Sequence, residues 1–422
     1  MTRIDHTSRR LIVAASVATC AALLAGCTSE ADGTTTATST TASTSTSTST
    51  SAPPAQVRSA TPRLALTYAG GILVVDAESL SLVGQSTLDG FNRLNPAGDE
   101  RHVIVSTADG FRVLDTGTWS EAHGDHSHHY TAAPALTDIT FDAAKPGHVV
   151  RHAGRTVLFD DGTGRIESFD AAGLAGGKPE TSTFTTPHPH HGVAVELADG
   201  GLITTIGDEK SRTGIVVLDA ARNEVTRNEQ CPGLHGEAVA AGEAVAFGCQ
   251  DGLLIYRDGA ITKVTSPDPY GRIGNQAGSE ESTVVLGDYK SDPNADLERP
   301  QRVSLTNTVT GELRLVDLGT SYTFRSLGRG AFGEALVLGT DGKLHVLDPT
   351  SGAVLRTVPV IDPWTEPQEW QTARPALFVQ GFTAYVTDPA TNRIHAVDYE
   401  KGQVTTTAEL PHSPDEITGV RG

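Results

Sequence analysis

Methionine is all but missing: Met1 is the only one in 422 residues, so a thioether site for copper(I) is excluded. Cysteine is scarce as well, with four residues, and Cys20 and Cys27 both belong to the N-terminal signal region. That leaves Cys231 and Cys249, an even pair, which in an oxidising compartment reads as a disulfide rather than as two zinc thiolates. Positive charge is short: 32 Lys and Arg against 51 Asp and Glu give a formal net charge of −19. Phosphate contacts need a basic face, so no nucleic-acid partner is expected. An acidic chain does attract cations before it binds them. Helical periodicity is nearly absent, and there is no Gly-x-Ser-x-Gly elbow, Gly-rich phosphate loop or His-Glu-x-x-His helix. No catalytic residue is expected.

The longest apolar run is confined to the start. Arg3, Arg9 and Arg10 precede an apolar or small stretch, Leu11 to Leu24, that is too short to span a bilayer. Residues 1–26 therefore read as an export signal, with Ser8-Arg9-Arg10 loosely of twin-arginine type. Leu24-Ala25-Gly26-Cys27 resembles a bacterial lipobox. It predicts a lipid on Cys27 and anchoring to the outer face of the cell membrane by that lipid alone; the alternative is an ordinary cleaved signal. Residues 27–62, almost all Ser, Thr and Ala with Pro53 and Pro54, read as a disordered tether.

Residues 63–422 hold the folded mass. Short apolar runs alternate with Gly, Asp and Asn turns, as in Gly71-Ile-Leu-Val-Val-Asp76, Gly214-Ile-Val-Val-Leu-Asp219 and Lys343-Leu-His-Val-Leu-Asp348. This is the pattern of many short antiparallel strands. Several runs end in Asp-x-x-(Ser/Thr/Asn/Gly) before the next strand, and four strands per unit predict an all-β β-propeller. Inner strands are expected to start near Asn95, His148, His191, His235, Asn275, Arg325 and Arg374, spaced 40 to 53 residues apart. Residues 413–420 add one more inner strand, and 64–86 supply outer strands that lack one. Pairing the two termini closes an eight-bladed ring without an exposed edge; seven blades is the alternative.

What the chain has in excess is histidine. Ten of its 15 lie between His123 and His235. The strand register makes His148, His191 and His235 equivalent positions in three consecutive blades, so their imidazoles converge on the central channel as a zinc site. His188 and His190 flank His191 as further ligands or relays. His123, His126, His128 and His129 crowd with Asp125 into seven residues. They are expected in a flexible loop between the last two strands of the second blade, suited to capturing or handing over metal. Cys231 precedes the strand of His235 and Cys249 ends the next one, so a disulfide there pins the loop presenting His235. Imidazole ligation predicts that mild acid, about pH 5, strips the metal.

Three segments together resemble the AztD-type zinc metallochaperones of bacteria. They are Ala122-His-Gly-Asp-His-Ser-His-His-Tyr130, Lys145-Pro-Gly-His-Val-Val-Arg-His-Ala-Gly154, and Cys231-Pro-Gly-Leu-His-Gly-Glu-Ala238 with Phe247-Gly-Cys249. The resemblance runs from about residue 63 to the C-terminus, and the Cys-Pro-Gly-Leu-His-Gly-Glu-Ala segment is its most specific part. It implies a propeller that carries zinc and passes it to the zinc-binding solute-binding protein of an ABC importer; a monomer is expected. The lipobox and tether depart from the soluble periplasmic members and imply a chaperone held at the membrane. The alternatives are a lactonase-like propeller hydrolase with a central metal, and a non-catalytic binding propeller whose histidines are incidental.

Overall fold

The computed structural model describes residues 53–422. The signal, Cys27 and most of the expected tether lie outside the described residues. Among the described residues no helix is long and apolar enough to cross a membrane. Apart from one 3-10 turn at Ala171–Gly176, the regular structure of the described residues is β-strand.

Among the described residues eight four-stranded antiparallel meanders follow one another, the fifth carrying a short extra strand, Gly271–Arg272, parallel to Asp251–Arg257. The first combines both termini: Ile417–Val420 pairs with Arg63–Tyr68, which continues into Gly71–Asp76 and Leu82–Thr87. The first strands of the next four are Arg93–Pro96, Pro146–His152, Ala194–Glu196 and His235–Ala240. Gln276–Ala277, Leu327–Arg329 and Leu377–Gln380 open the last three. These starts fall within about three residues of the expected ones. The Asp-ended turns have a physical cause in side-chain caps. Asp76 Oδ1 accepts from the Ser79 amide at 2.7 Å, and Asp348 Oδ1 from the Ser351 amide at 2.6 Å, so the turn's free N–H groups are satisfied locally.

The core lies between the sheets. Ala65, Ile72 and Val74 of the first meet Val103, Val105 and Leu114 of the second. Phe159 and Ile166 of the third meet Ala194 and Leu202 of the fourth. The eighth sheet, through Tyr385, Ile394 and Ala396, packs on Leu64, Leu66, Leu73 and Val75 of the first. Each fully buried Leu of this kind stabilises the fold by ~1.5–3 kcal/mol. Charged groups tie the beginnings of the inner strands together. Glu416 Oε1 accepts from Arg93 Nε at 3.0 Å and from Arg325 at 3.1 Å, linking the second, first and seventh sheets.

The His-rich segment departs from the expected flexible loop. It is a hairpin, Thr118–His123 paired with His126–Thr131, inserted between the third and fourth strands of the second sheet. Gly124, at φ +63°, opens its two-residue turn. Trp119 stacks on Tyr130 across the strands, and the Arg101 guanidinium lies 4.1 Å above the indole. A segment that reads as polar coil is thus ordered by one cross-strand aromatic pair. A second departure lies in the expected tether, where Ala55–Val57 forms a third strand on this hairpin.

Candidate metal centre

Three adjacent sheets each deliver one imidazole to the same point. His148 lies in the strand Pro146–His152, His235 opens His235–Ala240, and His191 sits in the approach to Ala194–Glu196, just before the strand. Their ligand nitrogens all lie within 4.8 Å of one another. The trio lines a cavity of about 750 Å³, which also receives Lys145, Asp161, Glu237, Glu298 and Trp370.

The other ring nitrogen of each histidine is held by an acceptor. His148 Nδ1 donates to the Gly192 carbonyl at 2.9 Å and His235 Nδ1 to the Gly274 carbonyl at 2.6 Å. His191 Nδ1 donates to the buried Asp161 carboxylate at 2.6 Å. Carbonyl and carboxylate oxygens only accept, so the proton of each neutral ring sits on Nδ1 and each Nε2 carries a free lone pair. With both rings in that neutral form, Nε2 of His191 and of His235 face each other at 3.3 Å as two lone pairs. Zn–N bonds of about 2.0–2.1 Å at a tetrahedral angle set ligand nitrogens roughly 3.3–3.4 Å apart, so a zinc ion matches this spacing.

The approach to the site is built tightly. A Cβ on Gly147 would lie 2.1 Å from Asp161 Oδ1, so the chain beside His148 needs glycine to let the carboxylate in. The Cys231–Cys249 disulfide, with Cα atoms 4.9 Å apart, ties the lead-in of His235 to the neighbouring strand, where His235 pairs with Gly248. Burial lowers the His235 imidazole to about 4, against the opposing pull of the Gly274 carbonyl, with help from His191, Arg272 and Arg212. Burial also pushes His148 well below its usual value, with His191 and His235 adding repulsion. Both rings are therefore neutral ligands at pH 7. Burial raises the Glu237 carboxyl to about 8.

These shifts revise the expected acid release. The lowered His235 and His148 weaken proton competition, so metal on the trio should be retained to lower pH than on imidazoles of ordinary pKa. The metal-free fold should lose stability from about pH 6.5 downward to about 4, because the unfolded chain binds protons that the folded rings refuse. Zinc content and denaturant midpoints at stepped pH measure both; half-loss of zinc near pH 6 would count against the trio.

The remaining candidates divide. His123, His126 and His128 form a second group with ligand nitrogens within 4.8 Å of one another, at the exposed tip of the hairpin. Asp125 reaches His126 Nδ1 at 3.2 Å from the turn. His129 is not in the group: it alternates onto the opposite face and contacts Ser120 Oγ at 2.7 Å. His190 is buried against Phe159, with contacts to the His188 carbonyl and Thr205 Oγ1, and does not join the trio. His188 is exposed and belongs to neither group. Ser120 Oγ donates to the carbonyl of Gly422, just past the last inner strand. The hairpin thus lies where inner strands finish, whereas the trio lies where they begin. Asp161 escaped the sequence reading because Asp160-Asp-Gly-Thr163 looks like every other Asp-ended turn of the chain.

Fold and site together define an all-β protein of four-stranded sheets with a half-buried three-histidine centre. No protein-family profile matches the chain. Its sequence is similar to the zinc chaperone AztD of Citrobacter koseri, 27% identical over 329 residues, which is 76% of each protein. The crystal structure of Citrobacter koseri AztD superposes with a TM-score of 0.74 at 24% identity, over 86% of this chain and 98% of that one. The apo AztD structure gives the same TM-score at 23% identity and the same coverage. The dihydro-heme d1 dehydrogenase NirN shares the fold more distantly, with a TM-score of 0.53 at 9% identity over 84% of this chain and 74% of that one. The AztD-type resemblance of the sequence is borne out.

Proposed function

We propose that the protein is an extracytoplasmic zinc metallochaperone, a carrier and not a catalyst, that hands zinc to the solute-binding protein of a zinc ABC importer. One observation carries the reading: three imidazoles bring their ligand nitrogens within 4.8 Å of one another, His191 and His235 Nε2 at 3.3 Å, while each Nδ1 is tied to an acceptor. The relative named a zinc chaperone supports the choice of metal and of role. All-imidazole ligation argues against a lactonase-type centre, where calcium would draw carboxylate and amide oxygens.

In this reading the eight sheets are the blades of one closed propeller, sealed by the pairing of Arg63–Tyr68 with Ile417–Val420. The trio holds zinc and the hairpin histidines meet the outside. Three protein ligands leave one tetrahedral position open, through which a partner's ligand can enter before a histidine leaves. The chain acts as a monomer, held to the outer face of the membrane by the lipid on Cys27.

Zinc-loaded protein mixed with the metal-free solute-binding protein, beside a competing chelator, tests the assignment. Zinc should reach the partner with little captured by the chelator, and faster than it leaves the protein alone. Transfer no faster than spontaneous release would overturn direct exchange.

A further inference from the structure

The strand Ala55–Val57 lies outside the repeat and serves no sheet of it. It pairs antiparallel with the hairpin strand His126–Thr131, setting Ala55 opposite Thr131, Gln56 opposite Tyr130 and Val57 opposite His129. Alternation along the hairpin puts Trp119, Glu121 and His123 on one face with His126, His128 and Tyr130. Gln56 projects onto that same face, and its Nε2 lies 2.9 Å from His128 Nδ1. An amide serves either way round: turned by half a rotation, its Oε1 accepts the Nδ1 proton and leaves His128 Nε2 for an ion. Asp125 stands in the same relation to His126 Nδ1, at 3.2 Å.

We propose that Gln56 is a positioning residue of the hairpin's zinc site, so that zinc binding there and docking of the strand Ala55–Val57 reinforce each other. The proposal rests on the reading of the hairpin as a zinc site. An orienting acceptor on a ligand histidine typically changes metal affinity by about 10–100-fold, and an exposed one belongs near the lower end, about tenfold. Linkage is reciprocal, so zinc must tighten the docking of the strand by the same factor. Docking also sets reach. On the tether reading, releasing the strand frees residues 55–62, the eight that precede Arg63–Tyr68, and adds up to roughly 28 Å of extended chain. Loaded and empty hairpins would then stand on tethers of different length.

The test uses the full chain with His148, His191 and His235 each replaced by alanine, so that zinc reports on the hairpin alone. Zinc affinity is measured by competition with a chromophoric chelator. Gln56→Leu should weaken binding about tenfold, and Gln56→Glu, whose carboxylate still accepts from Nδ1, should restore it. Amide hydrogen exchange at residues 55–57 should slow on zinc addition, by about the same factor, in the parent but not in Gln56→Leu. Equal affinity for the parent and Gln56→Leu, or equal loss in the Leu and Glu variants, would overturn the proposal while leaving the hairpin a zinc site. A hairpin that binds no zinc in the parent would sink the zinc-site reading and the proposal together. If the triple replacement does not fold, the exchange measurement on the otherwise unaltered chain with excess zinc decides: no slowing at 55–57 refutes the coupling.

Discussion

His191→Ala should abolish tight zinc binding in the channel with little loss of stability. Structural zinc sites with four ligands carry apparent binding free energies of about 10–16 kcal/mol, roughly 3–4 per ligand. Losing one imidazole of three should therefore cost about 10²–10³-fold in affinity, at ~1.4 kcal/mol per tenfold. His191 is the best of the three to remove, because it precedes its strand and pairs with no neighbouring backbone in the sheet. Its ring is partly exposed toward the cavity, so truncation opens no hydrophobic core. Competition with a chelator of matched affinity should show one tight equivalent lost, while the thermal midpoint of the zinc-free protein falls by only a few degrees, from the hydrogen bond that Asp161 loses. His126→Ala, at the far end of the strands, should leave the tight equivalent in place. If His191→Ala retained it, the trio would not be the tight site.

The repeat was readable because its signals are local. Apolar runs of four to six residues, closed by an Asp whose carboxylate caps the turn, mark a strand and its exit together, as at Asp76 and Asp348. The trio was legible in the repeat spacing, which sets His148, His191 and His235 near the starts of three successive inner strands. Local signals also misled. His188 and His190 crowd beside His191 in sequence, but the two stiff prolines turn them away, one to solvent and the other into a pocket against Phe159. His129 shares a run with His128 and lies on the other face, because neighbours in a strand always do.

The groups that tune the site were the ones that could not be read. Asp161 reaches His191 from 30 residues away, and Gln56 reaches His128 from 72. Both depend on which turn of one element abuts which strand of another, and their own surroundings in sequence are unremarkable. The hairpin reads as a flexible loop in sequence because nothing local to it announces the strand pairing. Its order comes from Trp119 against Tyr130, a pairing visible only once the strands are aligned.

Asp161 yields the second large effect. Its Oδ2 accepts the His191 Nδ1 proton at 2.6 Å, and its Oδ1 accepts from the Gly192 amide at 3.3 Å. One carboxylate therefore fixes both the ring and the backbone that presents it, and the Gly192 carbonyl in turn holds His148 Nδ1. It also brings a buried carboxylate into contact with one ligand of the trio, which lowers the cost of placing a dication there. Asp161→Asn keeps an acceptor of similar shape and removes the charge; Asp161→Ala removes both. Zinc affinity should fall about tenfold for Asn and closer to a hundredfold for Ala, which is about 1.4 and 2.7 kcal/mol. Because the three imidazoles remain, the loss should appear mainly as faster release, and stopped-flow capture by a chelator measures it directly. A chaperone must hold its cargo tightly enough to exclude loss and loosely enough to give it away. Asp161→Asn should accordingly donate faster to the partner and also leak more zinc to a competitor. If the Asn and Ala variants released zinc equally fast, orientation by the hydrogen bond would contribute nothing and the charge alone would set retention.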